Sequence, residues 1–211
     1  MSSKKNSHDH GIDKYHDLPD DTDALARVYA DWANAYDHDN DHKLGTVSQP
    51  NAAAMLARHV EDRKSTILDV GCGTGLVGHH LAKHGFTTFD GADLSAEMLA
   101  HARTRGYRTL FTADAAKGLD IEDATYDATL CVGVFTHGHL GAESFKELLR
   151  LTRPDGIIVF TVNEGVWETG GFDREVTRLS EEGAWSLLEQ SHLDYMIKEG
   201  VRAWYVAARK T

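Results

Sequence analysis

Cysteine is scarce. The 211 residues hold two, Cys72 and Cys131, too few for a disulfide framework. Clustered base is also missing. Lys and Arg number 22 against 33 Asp and Glu, for a formal charge of −11. Nucleic-acid binding draws on grouped Lys and Arg, so a phosphate-backbone partner is not expected. No apolar stretch approaches the roughly 18 residues of a membrane span, and the N-terminus lacks the apolar core of a signal peptide. Repeats and dividing linkers are absent. What is left is the expectation of a reduced, cytoplasmic protein, monomer or homodimer, that needs neither membrane nor nucleic acid. With 41% hydrophobic residues, the length suits one α/β domain over 21–211 behind a mobile polar tail over 1–20.

The most informative stretch is ILDVGCGTGLVG at 67–78. An apolar run stops at Asp69, glycines follow at Gly71, Gly73 and Gly75, and a helical pattern restarts at Leu76. This reads as strand, turn and helix. Glycine there admits dihedrals that a Cβ forbids and lets a ligand approach the backbone. The helix start is expected to point unpaired N–H groups into the turn, where electron-rich ligand atoms are received.

In the tail, His8, His10 and His16 lie among aspartates, but their spacing matches no known metal site, and no metal is expected. From Asp21 the pattern is helical, with Leu25, Tyr29, Trp32 and Tyr36 at three- and four-residue steps. It ends in the polar segment YDHDNDH at 36–42. A second helix opens at Ser48 and Pro50, completing a helical cap over 21–62. After the glycine loop come strands over 86–89 (running to Asp93), 107–112, 126–134 and 157–162. Between them lie helices over 76–84, after Ser95, and over 142–151. Pro154-Asp155-Gly156 reads as a turn. Residues 163–179 look like a connecting excursion, Ser180 is expected to cap a helix carrying Trp185, Leu187 and Leu188, and two last strands over 192–199 and 202–209 close the sheet. The alternation predicts a mostly parallel sheet covered on both faces, finished by an antiparallel hairpin.

Ligands of such sheets bind beyond the carboxyl ends of the strands, near the reversal of strand order. Asp93 follows the glycine loop at the distance usual for a ribose-binding carboxylate. For Asp114, a turn role and a contact to a base amino group are both open.

Together, DVGCGTG at 69–75, GADLSAEML at 91–99, TADAA at 112–116, YDATLCVGVFTHGHL at 126–140 and LLRLTRPDGIIVFTV at 148–162 resemble the class I S-adenosylmethionine-dependent methyltransferases. The resemblance covers residues 22–209. It implies a Rossmann-like doubly wound, seven-stranded α/β fold with S-adenosylmethionine as cofactor. The implied cofactor contacts fall on Asp69, Gly71, Cys72, Gly73 and Gly75, on Asp93 for the ribose, and on Leu94 and Met98 for the adenine side. Asp114 with Ala115 approaches the adenine, and Gly133 lines the transferred-methyl region. Tyr29 and Tyr36 are expected to cap the cofactor. Trp32, His38, Asn163 and Trp167 are expected to face the acceptor, with His38 also a third candidate base and a turn role equally open for Asn163. Where many relatives carry Glu-His, this chain has Thr136-His137, so no acidic role transfers.

His137 and His139 are the candidate general bases, since neutral imidazole accepts a proton near pH 7; ordinary loop histidines are the alternative. The GTGLVG pattern at 73–78 also satisfies a dinucleotide fingerprint, but begins two residues late. The slight added material suggests a small-molecule acceptor. A protein or peptide acceptor, or a cofactor-binding subunit without catalysis, is the alternative. The segment beginning YDHD bears some resemblance to the methyltransferase-like subgroup linked to the Williams–Beuren region.

Overall fold

The computed structural model describes residues 22–136 and 140–211. The tail expected over 1–20, and His137 and His139, lie outside them.

Among the described residues seven strands form one sheet, in the order β3-β2-β1-β4-β5-β7-β6. Its centre is β1 (Ile67–Val70), parallel to β2 (Phe89–Asp93) on one side and to β4 (Tyr126–Phe135) on the other. Beyond β2 lies β3 (Leu110–Thr112), and beyond β4 lies β5 (Thr152–Asn163), both parallel. The C-terminal β7 (Val201–Lys210) inserts antiparallel between β5 and the edge strand β6 (Trp185–Met196). Strand order therefore reverses between β1 and β4, which opens a crevice at their carboxyl ends.

The apolar runs are continuous because both sheet faces are buried. Successive residues of β4 serve opposite cores. Ala128, Leu130 and Val132 pack with Met55, Leu81 and Tyr205, while Cys131 and Phe135 pack with Phe145, Phe160 and Trp185. Against these layers pack α2 (Ser48–His59), α3 (Leu76–Lys83) and α5 (Phe145–Leu151), while α1 (Thr22–His38) and α4 (Ala96–Ala102) pack on each other. Two more, α6 (Glu164–Trp167) and α7 (Phe172–Glu181), follow β5. The Ser95 hydroxyl accepts from the Met98 amide at 3.2 Å, so the expected cap of α4 is present. The end of α1 continues into a π-helical stretch, Asp39–Leu44, closed by Gly45 at φ 63°.

Several boundaries differ from the reading of the sequence. β2 begins at Phe89, because the amides of Phe86 and Thr87 bond to Leu81 and Arg63 instead of joining the ladder. β3 starts at Leu110, and Tyr107 turns its ring toward the glycine loop. Pro154-Asp155-Gly156 lies inside β5 as a bulge: Tyr126 faces Thr152 while Ala128 faces Ile157, and Asp155 takes φ 62°.

The largest correction is C-terminal. The expected helix after Ser180 does not form: α7 ends at Glu181 and Trp185 opens β6. Gly183 at φ 70° breaks the helix, and Ser180 instead accepts from the Trp185 indole at 3.0 Å. Helical spacing of Trp185 and Leu188 misleads here, because ladder bonds to β7 outweigh local periodicity. Residues 163–179, expected as an excursion, bury Val166, Trp167, Phe172, Val176 and Leu179 in the core shared with Phe135 and Trp185.

Candidate functional site

The crevice at the β1–β4 switch holds a cleft of about 990 Å³, counting its solvent-filled mouth. Its floor is Gly71 and Gly73 from the loop after β1, Asp93 and Leu94 after β2, and Val132, Gly133 and Val134 of β4. Leu25, Tyr29 and Tyr36 of α1 face these strand ends across it.

The amides of the glycine loop itself are spent within the protein, and of the expected helix-start amides that of Gly78 is taken by the Tyr107 hydroxyl. The Gly71 and Cys72 amides both donate to the Ala92 carbonyl, at 2.8 and 3.0 Å. The Gly73 amide donates to Asp93 Oδ2 at 2.8 Å, and that of Gly75 to the Cys72 carbonyl at 2.8 Å. These donors tie the loop to β2 and to itself. The glycines contribute clearance instead. A Cβ on Gly71 would meet Val134 Cγ2 at 2.3 Å, whereas one on Gly73 would meet nothing within 4 Å. Gly73 takes φ 54°, so the bare backbone is presented to the cleft.

Asp93 sits at the junction. Oδ2 accepts from Gly73 and Oδ1 from the Ser95 amide at 2.9 Å. With the Leu94 amide facing it as well, the carboxylate still has acceptor capacity left beside the cleft that it lines. Burial raises its pKa, and the amides of Ser95 and Gly73 oppose that rise. Two neighbouring hydroxyls fit this carboxylate, and those of a ribose are such a pair.

Asp69 is fully buried beneath the loop and is absent from the cleft wall. Its Oδ2 accepts a 2.6 Å hydrogen bond from the Tyr107 hydroxyl, which itself accepts from the Gly78 amide at 3.0 Å. Burial pushes the Asp69 carboxyl up to about 7; the Tyr107 bond opposes this and the charge of Asp93 adds to it. Tyr107 was not singled out from the sequence. Its partners are 38 and 29 residues away, but Gly78 and Gly91 are the trace it leaves: a Cβ there would meet its ring at 2.4 and 2.9 Å.

On α1 the aromatic residues form one group. Trp32 and Tyr36 meet edge to face at 4.8 Å, and Tyr29 lies 6.2 Å from each. The Trp32 indole donates to the buried Asp39 at 2.9 Å. Burial alone would raise the pKa of Asp39, but Lys43 and Trp32 hold it below the usual carboxylate range.

The structure thus gathers Tyr29, Tyr36, Gly71, Gly73, Asp93, Leu94, Met98, Asp114, Ala115 and Gly133 on one cleft. Asp114 also serves its turn, accepting from the Ala116 amide at 3.0 Å. Asp69, Cys72 and Gly75 lie behind the wall instead. Burial, with the charges of Asp69 and Asp93, raises the Cys72 thiol well above its usual range. A Cβ on Gly75 would strike Tyr107 at 2.9 Å.

None of the four expected acceptor contacts lines the cleft. Trp32 is buried behind Tyr36. His38 is exposed, its ring 4.8 Å from that of His42. Asn163 accepts from the Gly165 amide at 2.9 Å and caps α6. Trp167 is buried in a stack with Trp204 at 5.0 Å. Among the described residues no three His, Cys, Asp or Glu side chains are grouped to hold a metal, and no helix is long and apolar enough to cross a membrane.

Comparison with known proteins agrees with this geometry. A family model described as a methyltransferase domain matches residues 67–156, from β1 into β5. Human methyltransferase-like protein 27 is 29% identical over 197 residues, spanning 90% of this chain and 74% of that protein. This fits the subgroup resemblance of the YDHD segment. The malonyl-[acyl-carrier protein] O-methyltransferase of Enterobacter lignolyticus is 27% identical over 143 residues, 68% of this chain and 55% of that one. The chain thus spans only about half the length of the latter relative. In fold, the crystal structure of magnesium protoporphyrin IX methyltransferase from Synechocystis with bound S-adenosylmethionine superposes with a TM-score of 0.63. It does so at 18% identity over 92% of this chain and 99% of that one. The matched segment carries the glycine loop, Asp93 and the β4 end that converge on one cleft, so residues 67–156 make up a methyltransferase domain of the S-adenosylmethionine-dependent kind.

Proposed function

We propose that this protein moves a methyl group from S-adenosylmethionine to a small-molecule acceptor by in-line displacement. The observation carrying the reading is that one cleft is walled on both sides, by Leu25, Tyr29 and Tyr36 and by the strand ends at Asp93 and Gly133. A covered cleft suits a metabolite better than a folded protein surface. Of two similar proteins, one is named for magnesium protoporphyrin IX, a small molecule, and one for malonyl-[acyl-carrier protein], whose malonyl group is small but carried on a protein.

S-adenosylmethionine, when bound, supplies a methyl carbon activated by a sulfonium. Among the described residues the cleft wall carries the carboxylates of Asp93 and Asp114 and no cationic side chain, a field that favours a cationic ligand. Asp93 would hold ribose hydroxyls, Leu94, Met98 and Ala115 would pack on the adenine, and the bare backbone of Gly71 and Gly73 admits the rest. Tyr29 and Tyr36 offer ring faces to a positive centre. The chain's share of the catalysis is alignment of nucleophile and methyl, with water kept out. If the acceptor carries a proton at neutral pH, His137 or His139 takes it.

The test is incubation of the purified protein with methyl-labelled S-adenosylmethionine and a metabolite extract from its source, followed by size fractionation. Label is expected in low-molecular-mass compounds. Label confined to protein would replace the small acceptor by a polypeptide. Binding without any transfer, across extracts that support turnover by a control methyltransferase, would leave a silent binding subunit.

A further inference from the structure

We infer that Asp37, in the last turn of α1, is a positioning residue that bolts the aromatic wall of the cleft onto the glycine loop. Its two carboxylate oxygens reach two different elements. Oδ1 accepts from the Thr74 hydroxyl at 2.5 Å, and Oδ2 pairs with the guanidinium of Arg105, in the connection between α4 and β3. One side chain therefore joins three segments that border the cleft, across separations of 37 and 68 residues.

The placement is specific. Thr74 lies between Gly73 and Gly75 and is buried, so its hydroxyl fixes the loop at the point where the backbone faces the ligand. Arg105 lies three residues beyond the end of α4, whose Met98 lines the cleft. Tyr36, the residue before Asp37, lines the opposite wall with Tyr29. An ion pair that is partly screened from water, with side chains 23% and 34% exposed, outweighs an open surface pair.

Asp37 touches neither the cleft nor a reacting atom; it acts through Tyr36 and Thr74. Its consequence is kinetic. With α1 bolted down the bound cofactor leaves slowly, and with the bolt released the wall of Tyr29 and Tyr36 lifts and the cofactor escapes. Because half of the bolt is ionic, escape quickens with salt.

This inference rests on the cofactor assignment, and the experiment separates the two. S-adenosylhomocysteine, the demethylated cofactor, is bound to full-length protein, and its release is followed by stopped-flow Trp fluorescence, since Trp32 packs on Tyr36. Asp37→Ala, Asp37→Asn, Arg105→Gln and the double variant are compared with wild type. Asp37→Ala and Arg105→Gln are each expected to speed release by roughly tenfold, a common size for one charge-assisted contact. The double variant should be no faster than Asp37→Ala, and Asp37→Asn should lose the salt dependence while keeping part of the Thr74 bond. A merely structural role would leave additive effects and an unchanged salt dependence. Release at the wild-type rate from Arg105→Gln, which keeps the α1 carboxylate in place should Asp37→Ala misfold, overturns the bolt. Wild-type protein that fails to bind the probe overturns the cofactor assignment itself, and the bolt with it.

Discussion

The Tyr107 hydroxyl donates to Asp69 at 2.6 Å while accepting from the Gly78 amide at 3.0 Å. A single phenol thus spans the end of β1 and the first turn of α3, holding the glycine loop from beneath. Its ring packs edge to face on Phe89 at 5.0 Å, so β2 is part of the same clamp.

Removing that phenol should cost stability without touching the cleft surface. Tyr107→Phe leaves a buried amide and a buried carboxyl without their shared partner, a loss of about 1–3 kcal/mol. Urea denaturation of the two proteins measures it. Equal midpoints would mean that water or a neighbour replaces the hydroxyl.

The Asp69 carboxyl gives stability a pH dependence of definite sign. Burial pushes its pKa from 3.8 up to about 7, so the folded state holds this proton more tightly than the unfolded chain does. Its contribution is complete below about pH 4 and is lost as pH rises through about 7. Between pH 5 and 8 the melting temperature of wild type should therefore fall more steeply than that of Asp69→Asn. Parallel curves would show that Asp69 does not titrate in this range.

Asp93 is expected to carry much of the cofactor affinity. Asp93→Ala should weaken S-adenosylmethionine binding tenfold or more, on the order of 1.4 kcal/mol, as read by titration calorimetry. The variant also frees the Gly73 and Ser95 amides, so Asp93→Asn is the companion. Its Oδ1 can accept from one of those amides, whereas its Nδ2 is a donor and cannot accept from the other, so its affinity should fall between those of wild type and Asp93→Ala. Wild-type affinity in both would remove Asp93 from the ribose.

His137→Ala should slow turnover on a protonated acceptor while cofactor affinity stays near wild type. The split is between kcat and the binding constant. Unchanged kcat across pH 6 to 8 would take His137 out of the reaction.

Chain order alone made the glycine loop, the capped α4 and the strand-end acid legible. Each is written in adjacent residues: Gly71, Gly73 and Gly75 mark backbone that a Cβ would obstruct, Ser95 reaches an amide three residues on, and alternating apolar positions in β4 belong to two cores. The ten residues that share one cleft came largely from the family resemblance, and their strand-end members converge because strand ends at a switch point do so whatever joins them. It went astray where local pattern and distant partner disagreed. Trp185 and Leu188 have helical spacing, yet Trp185, Leu187 and Glu189 pair with β7, which begins beyond Gly200, and Leu188 is carried into β6 at the register shift between the last two. Trp32 and Trp167 were expected at the acceptor; the fold buries both.

Sequence by itself therefore determined which segments could form strands, where the backbone had to be bare and which acid stood beside the bare loop, because steric and hydrophobic rules act over a few residues. Only tertiary structure decided that Tyr107 props the loop, that Asp37 joins α1 to Thr74 and Arg105, and that the Gly71, Cys72 and Gly73 amides are consumed by β2. Those bonds link residues 20 to 68 positions apart, and their partners meet only after the sheet has set the spacing between its strands.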